Sequence, residues 1–486
     1  MLFLLVFLLA SGGCRLTGSR VVLAPSEGAL SQSRGEQFNE SASASARPIH
    51  KLPDNNNSIR PRVHVRSPAW HIRGGSQDIV TPHTGGTRKL LSTASPVSSE
   101  SSFGVGCNTY GQLGDGARTS RSTLAPVMSS FHISAVSAGY HHSVFLTSAG
   151  EAYTCGRNSY GQLGDGGRSS RDTPVRVLGS QAVAQVRAGY HHTLLRTAEG
   201  LVYGCGQNQR GQLGDGTPTD RLHPVLMAAL ENHSVVDVAA GAYNSFVRTE
   251  AGSVLGCGEN SNAQLGDGSE ADQLLPVQVM QGHDVVEVAG GVDHSLFRTA
   301  GGGVYACGAN AHGQLGDGSR MRHVSPVEVM LGYHVAGVSA GERHSLFLIS
   351  DGTVFGCGQD LYGQLGQGSS AAARTPPVQI MATHTVVEVC GGWRHSLFRT
   401  TEHVVYASGL NDYGQLGDGS TIPRFTPVQM VGAYGDAEGV AAGYGHSFSL
   451  AASGVTSTCC FHAFAPRLLP APLVPSIPLA ILPAPL

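Results

Sequence analysis

Lysine is nearly missing from this chain: its 486 residues hold two, Lys51 and Lys89. That excludes a Lys-rich nuclear or DNA-binding tail. Tryptophan is equally scarce, at Trp70 and Trp393, which removes propellers that place one in every repeat. No Cys-x-x-Cys pair occurs, so the usual zinc spacings are absent. No Gly-x4-Gly-Lys phosphate loop occurs either. No apolar stretch is long enough for a membrane-spanning helix, and none repeats with the 3.6 period of an amphipathic one. Residues 1–102 carry 11 Lys+Arg against 6 Asp+Glu, and the remainder 20 against 28, so the body is acidic. An acidic body argues against direct nucleic-acid binding by that region, which would need a basic stripe.

What fills the chain instead is one phrase, Gly-Gln-Leu-Gly, followed by Asp or Gln and then Gly. Its glutamines are Gln112, Gln162, Gln212, Gln264, Gln314, Gln364 and Gln415, about fifty residues apart, with Ala263 replacing the first glycine once. A period of this length marks a repeat architecture. Between phrases lie four short apolar stretches broken by Gly, Asn and Ser, as in 303–308, 326–329, 335–341 and 344–348. Four strands of this kind make an antiparallel meander that cannot bury both faces alone, whereas seven stacked radially can. The expectation is an all-β fold, a seven-bladed β-propeller of four-stranded antiparallel blades spanning 103–460. Strands of the Val-x-x-Cys type recur at 152–156, 202–206, 254–258, 304–308, 354–358 and 405–409, with degenerate copies at Phe103–Gly106 and Val455–Cys459. The two ends therefore share or compete for the closing blade.

The glycines of the phrase, such as Gly313, Gly316 and Gly318, suggest backbone angles that side chains resist, and Asp317 is a turn residue that can bond nearby amides. Cys155, Cys205, Cys257, Cys307 and Cys357 are one repeat position and read as small buried hydrophobes. Outside the repeats, 1–13 resembles a signal peptide without its basic n-region, and 14–102 is a Ser/Arg-rich segment expected to be disordered. The Pro/Leu-rich tail 461–486, with seven prolines, is expected to be disordered too. The N-terminus points to secretory or organelle targeting and the unpaired cysteines to a reducing compartment such as the cytoplasm, so localisation stays open.

Three recurring elements, Gly-Gln-Leu-Gly, Pro-Val and Gly-x-x-His, together resemble the regulator of chromosome condensation repeat family, which includes alpha-tubulin suppressor-like proteins. The Pro-Val copies begin at Pro126, Pro174, Pro224, Pro276, Pro326, Pro377 and Pro427. The resemblance implies a seven-bladed propeller used for protein recognition. The founding member exchanges nucleotide on the small GTPase Ran, and other relatives serve as ubiquitin-ligase modules, channel-associated scaffolds and a UV-B photoreceptor. The photoreceptor motif occurs once, Gly392-Trp393-Arg394-His395, and one tryptophan cannot form a light-absorbing cluster.

Six Gly-x-x-His copies end in His142, His192, His294, His344, His395 and His446, with Asn244 in the third unit. Identical residues in every repeat suit a hydrogen-bonding strut, and Asn could substitute in that role. They offer no asymmetry between nucleophile and base, so no catalytic residue, metal site or cofactor is expected, and the chain reads as not an enzyme. The positions that vary are more informative. The two residues between Gly and His include Tyr140, Tyr190, Tyr243, Asp293, Arg343, Trp393, Arg394 and Tyr444. A second variable slot, before Gly-Gln-Leu, holds Tyr110, Tyr160, Arg210, Asn262, His312, Tyr362 and Tyr413. In a meander both slots reach one face of the disc, rich in the side chains that dominate interfaces. The expected role is a non-enzymatic scaffold that binds a protein partner there; the alternative is a guanine-nucleotide exchange factor for a Ran-like small GTPase.

Overall fold

The computed structural model describes residues 102–451 except 232 and 433–436. The signal segment 1–13, nearly all of 14–102, the Val455–Cys459 strand and the tail lie outside the described residues. Of two compact units, Met1–Leu90 and Leu91–Leu486, only the second contains described residues. Among them the regular elements are 28 strands in seven four-stranded sheets, the expected propeller. The first blade runs β3 (Ile133–Ala138), β4 (His142–Thr147), β5 (Ala152–Gly156) and β6 (Arg171–Val177), each antiparallel to the next. Five further blades repeat that order.

The seven leading strands touch one another in a closed circle around the axis. They are β3, β7 (Val183–Ala188), β11 (Val235–Ala240), β15 (Val285–Gly290), β19 (Val335–Ala340), β23 (Val386–Gly391) and β27 (Ala437–Ala442). Second strands are buried along nearly their whole length, β4 entirely so, because a blade packs on each face. That double burial is why their sequence, HSVFLT, does not alternate polar with apolar. Phenylalanines meet edge-on across blade boundaries, Phe145 with Phe448 at 5.4 Å and Phe246 with Phe297 at 5.6 Å.

The ring closes with β1 (Ser102–Gly106) paired to β28 (His446–Ala451), Gly104 opposite Phe448, in a sheet ordered β2-β1-β28-β27, where β2 is Arg121–Pro126. Two strands from each end thus build one blade, and the N-terminal copy occupies the shared place. In β2 the register also corrects one motif. Ala125 faces Gly104 where Val175 faces Thr154, so Leu124, and not Pro126, stands at the Pro174 position.

The repeated phrase is a joint between blades. Asn158 Oδ1 accepts from Leu163 N at 3.0 Å, and Asn158 Nδ2 donates to Asp165 Oδ1 at 2.8 Å. Gln162 Oε1 accepts from Tyr160 N at 3.0 Å, and Arg171 Nε donates to Asp165 Oδ2 at 2.9 Å. These bonds shape the loop so that Leu163 drops fully into the core, which contributes about 1.5–3 kcal/mol. Gly161 has φ +85°, and a Cβ there would stand 2.7 Å from Leu222 Cα of the next blade. Ala263, in the equivalent slot, holds φ 61°. The cysteines beneath the phrase are buried and free; burial pushes the Cys205 and Cys257 thiols up to about 12, so they carry no thiolate at neutral pH.

Candidate functional site

The Gly-x-x-His turns stack two layers at one end of the axis. The inner layer is a relay that stitches blades together. His142 Nε2 meets Thr193 Oγ1 of the next blade at 3.0 Å, and that hydroxyl donates to Gln162 O at 2.7 Å. The same unit links His192 to Ser245, His294 to Ser345, His344 to Ser396, His395 to Ser447 and His446 to Ser143, all at 2.9–3.0 Å. Since each hydroxyl hydrogen goes to a carbonyl, the imidazole must donate, which fixes the neutral Nε2–H tautomer. Burial holds His142, His192, His294, His344 and His395 down to about 3, and His446 well below its usual value. The motif glycine has a steric reason: a Cβ on Gly139 would lie 2.4 Å from the His142 ring.

One link is missing. Ser295 donates to Gln264 O at 2.7 Å, yet neither amide atom of Asn244 has a hydrogen-bond partner. The expectation that Asn could stand in for His therefore fails: the shorter Asn244 side chain makes no bond to Ser295. Among the described residues, no group of His, Cys, Asp or Glu is placed to share a metal ion.

The outer layer is the mouth of the axial channel. Backbone bonds join neighbouring turns there: Tyr140 N to Tyr190 O at 3.3 Å, Tyr190 N to Ala242 O at 3.1 Å, Glu342 N to Trp393 O at 3.1 Å, Trp393 N to Gly443 O at 3.1 Å and Tyr444 N to Gly139 O at 3.2 Å. Side chains of this slot converge on the axis as an aromatic plug. Tyr140 lies 4.1 Å from Tyr444 and 5.0 Å from Tyr190, and Trp393 stacks on Tyr444 at 4.0 Å between ring centroids. Tyr190 is 8% exposed, so of the expected partner-binding residues it offers a partner least.

Tyr243, Asp293, Arg343 and Arg394, one residue further on, are half-buried around the plug. They meet the second variable slot as expected from the meander. Asn262 Nδ2 donates to Asp293 Oδ1 at 3.2 Å, and Arg394 NH1 donates to the Tyr362 hydroxyl at 2.9 Å. Arg394 also pairs with Glu342 at 2.8 Å and lies over Trp393, 3.8 Å from its centroid. All eight expected residues therefore gather at one mouth. A third variable slot escaped the sequence reading. It is the residue between the strand-ending Gly and the loop Asn or Asp: Cys107, Arg157, Gln207, Glu259, Ala309, Gln359 and Leu410. Its backbone amides donate to the turn carbonyls, as Arg157 N does to His141 O at 2.7 Å, which places it on the same face. Its copy-to-copy variation was the available signal.

Comparison with known proteins fits this architecture. The family model described as RCC1-like domain matches residues 77–331 and 231–461. A crystal structure of human WBSCR16 superposes with TM-score 0.67 at 24% identity, covering 73% of this chain and 99% of that one. The structure of Prp20p from Saccharomyces cerevisiae, reported with its binding to Gsp1p and histones, gives TM-score 0.65 at 20% identity, over 74% of this chain and 92% of that one. The ultraviolet-B receptor UVR8 of Arabidopsis thaliana is 35% identical over 53 residues, so this chain spans only 12% of that relative's length, and the match covers 11% of this chain. With the repeat phrase, the blade count and the family model in agreement, the chain belongs to the RCC1-like domain family.

Proposed function

We propose that this propeller is a non-enzymatic interaction module that docks a protein partner on the channel mouth. The observation that carries the reading is the convergence of three variable slots on one face, while the positions that repeat are occupied in joining blades. Aromatic and arginine side chains are concentrated there, held by Glu342 and by one another, so little conformational freedom is lost on binding. Replacing Trp393 and Arg394 together by Ala should abolish capture of the partner while the propeller still folds; capture at wild-type level by the folded variant would overturn this reading. A Ran-type GTPase loaded with fluorescent nucleotide separates docking from the alternative of exchange. Accelerated release would mean exchange, and binding without release would mean docking.

A further inference from the structure

One sector of the mouth joins aromatic rings to a positive charge with no carboxylate beside it. Tyr110, His141, Tyr140, His191 and Tyr160 form a continuous arc over the closing, first and second blades, with successive centroids 5.0, 4.4, 5.3 and 5.0 Å apart. Arg157 sits within that arc. Its guanidinium lies 5.5 Å from the Tyr110 centroid, its Nε donates to Ser159 Oγ at 3.0 Å, and its backbone is fixed by the bond to His141 O.

Among the described residues Arg157 has no carboxylate within ion-pair distance. Elsewhere on the mouth Arg210 pairs with Asp272 at 3.0 Å and Arg394 with Glu342 at 2.8 Å. At the outer edge of the arc Arg118 pairs with Asp172 at 3.1 Å and Arg168 with Asp220 at 3.9 Å. The two imidazoles carry no charge to offset: burial first, then the Arg157 field, holds His141 down to about 4 and His191 to about 3. The hydroxyls of Tyr110 and Tyr160 make no hydrogen bond among the described residues, although each backbone N–H is bonded to a glutamine.

A guanidinium held on an aromatic plate presents its donor fork to a carboxylate, and low local dielectric strengthens that pairing. The contrast with the rest of the molecule matters. From residue 103 onward acids outnumber bases, 28 to 20, so indiscriminate attraction of polyanions is disfavoured and a local preference must come from a local site.

We propose that the sector centred on Arg157 receives an acidic side chain of the docking protein, its carboxylate forked on the guanidinium and its neighbouring apolar or aromatic residues laid on the Tyr110–Tyr160 arc. This rests on the reading of the mouth as the docking face. It adds the partner's chemistry, an Asp- or Glu-bearing segment with aromatic neighbours, and its place over the first blade.

Three fluorescein-labelled ten-residue peptides, alternating Glu-Tyr, Gln-Tyr and Lys-Tyr, test it by anisotropy against the full chain. The Glu-Tyr peptide should bind about tenfold more tightly than Gln-Tyr. Arg157→Gln should remove that preference without changing the melting temperature. Tyr110→Ala should weaken both peptides alike while the preference for Glu-Tyr persists. Equal binding of Glu-Tyr and Gln-Tyr, preference for Lys-Tyr, or an Arg157→Gln chain that still prefers glutamate would overturn the proposal. Any of these would leave docking at the mouth standing on the Trp393/Arg394 result, so the two failures are distinguishable.

Discussion

At the first turn of each blade the chain crosses, within two residues, from the mouth to the buried histidine relay. The slot after the turn glycine reads Tyr140, Tyr190, Ala242, Val292, Glu342, Trp393 and Tyr444, five residue types in seven copies. Two positions on, six copies read His and one reads Asn244. The difference follows from what surrounds each position. A relay histidine is enclosed by the next copy of the same repeat, so an unchanged neighbour demands an unchanged residue. A mouth residue packs on slot residues of other blades that themselves differ from copy to copy, so no fixed neighbour dictates its identity.

Four measurements would break or sharpen that comparison. The largest effect should come from acid. The relay histidines have folded pKa values below those of the unfolded chain, so below about pH 6.5 the unfolded chain binds more protons and stability falls toward about pH 3. Going from pH 7 to pH 5 should cost about 2 kcal/mol per buried histidine, read as a fall in urea midpoint. Midpoints that stay level between the two would mean the relay is not buried and neutral. Next comes Gly161→Ala, whose Cβ meets the backbone of the neighbouring blade and should cost at least about 2 kcal/mol. Gly116→Ala, at φ +75° with open space around it, should cost about 1 kcal/mol. If both cost the same in denaturant melts, left-handed backbone alone explains the phrase and the cross-blade contact is unnecessary.

Asn244→His should move the other way. It restores the seventh link to Ser295 and should add about 1 kcal/mol, visible as a raised urea midpoint; a lower midpoint would show that the third blade is built around the shorter side chain. The smallest effect should be at the mouth. Tyr413→Ala, at an exposed site, should shift stability by no more than about 0.5 kcal/mol, and a larger loss would make the mouth part of the scaffold after all.

Much of this was legible from residues alone. The fifty-residue period and four strands per unit dictate the blades, because one meander cannot bury both of its faces. That the two variable slots share a face follows from strand parity, and Asp293 with Asn262 shows them meeting. What stayed hidden depends on neighbouring copies. The first glycine of the phrase looks like a simple turn residue until Leu222 of the next blade is seen against Gly161. Pro126 reads as one more Pro-Val copy until strand pairing puts Leu124 in its place. Asn244 reads as a fair substitute until its two buried amide atoms are seen to have no hydrogen-bond partner. Arg157 was overlooked because its slot sits between two near-invariant repeat residues and is short enough to pass as part of the loop.

The claim that the relay builds and the mouth recognises is met most directly by one paired measurement on the Trp393→Ala/Arg394→Ala chain: its melting temperature, and the partners it captures beside wild type. The account predicts a folded propeller that has lost the partner. A folded propeller that captures the same partner at wild-type level would contradict it.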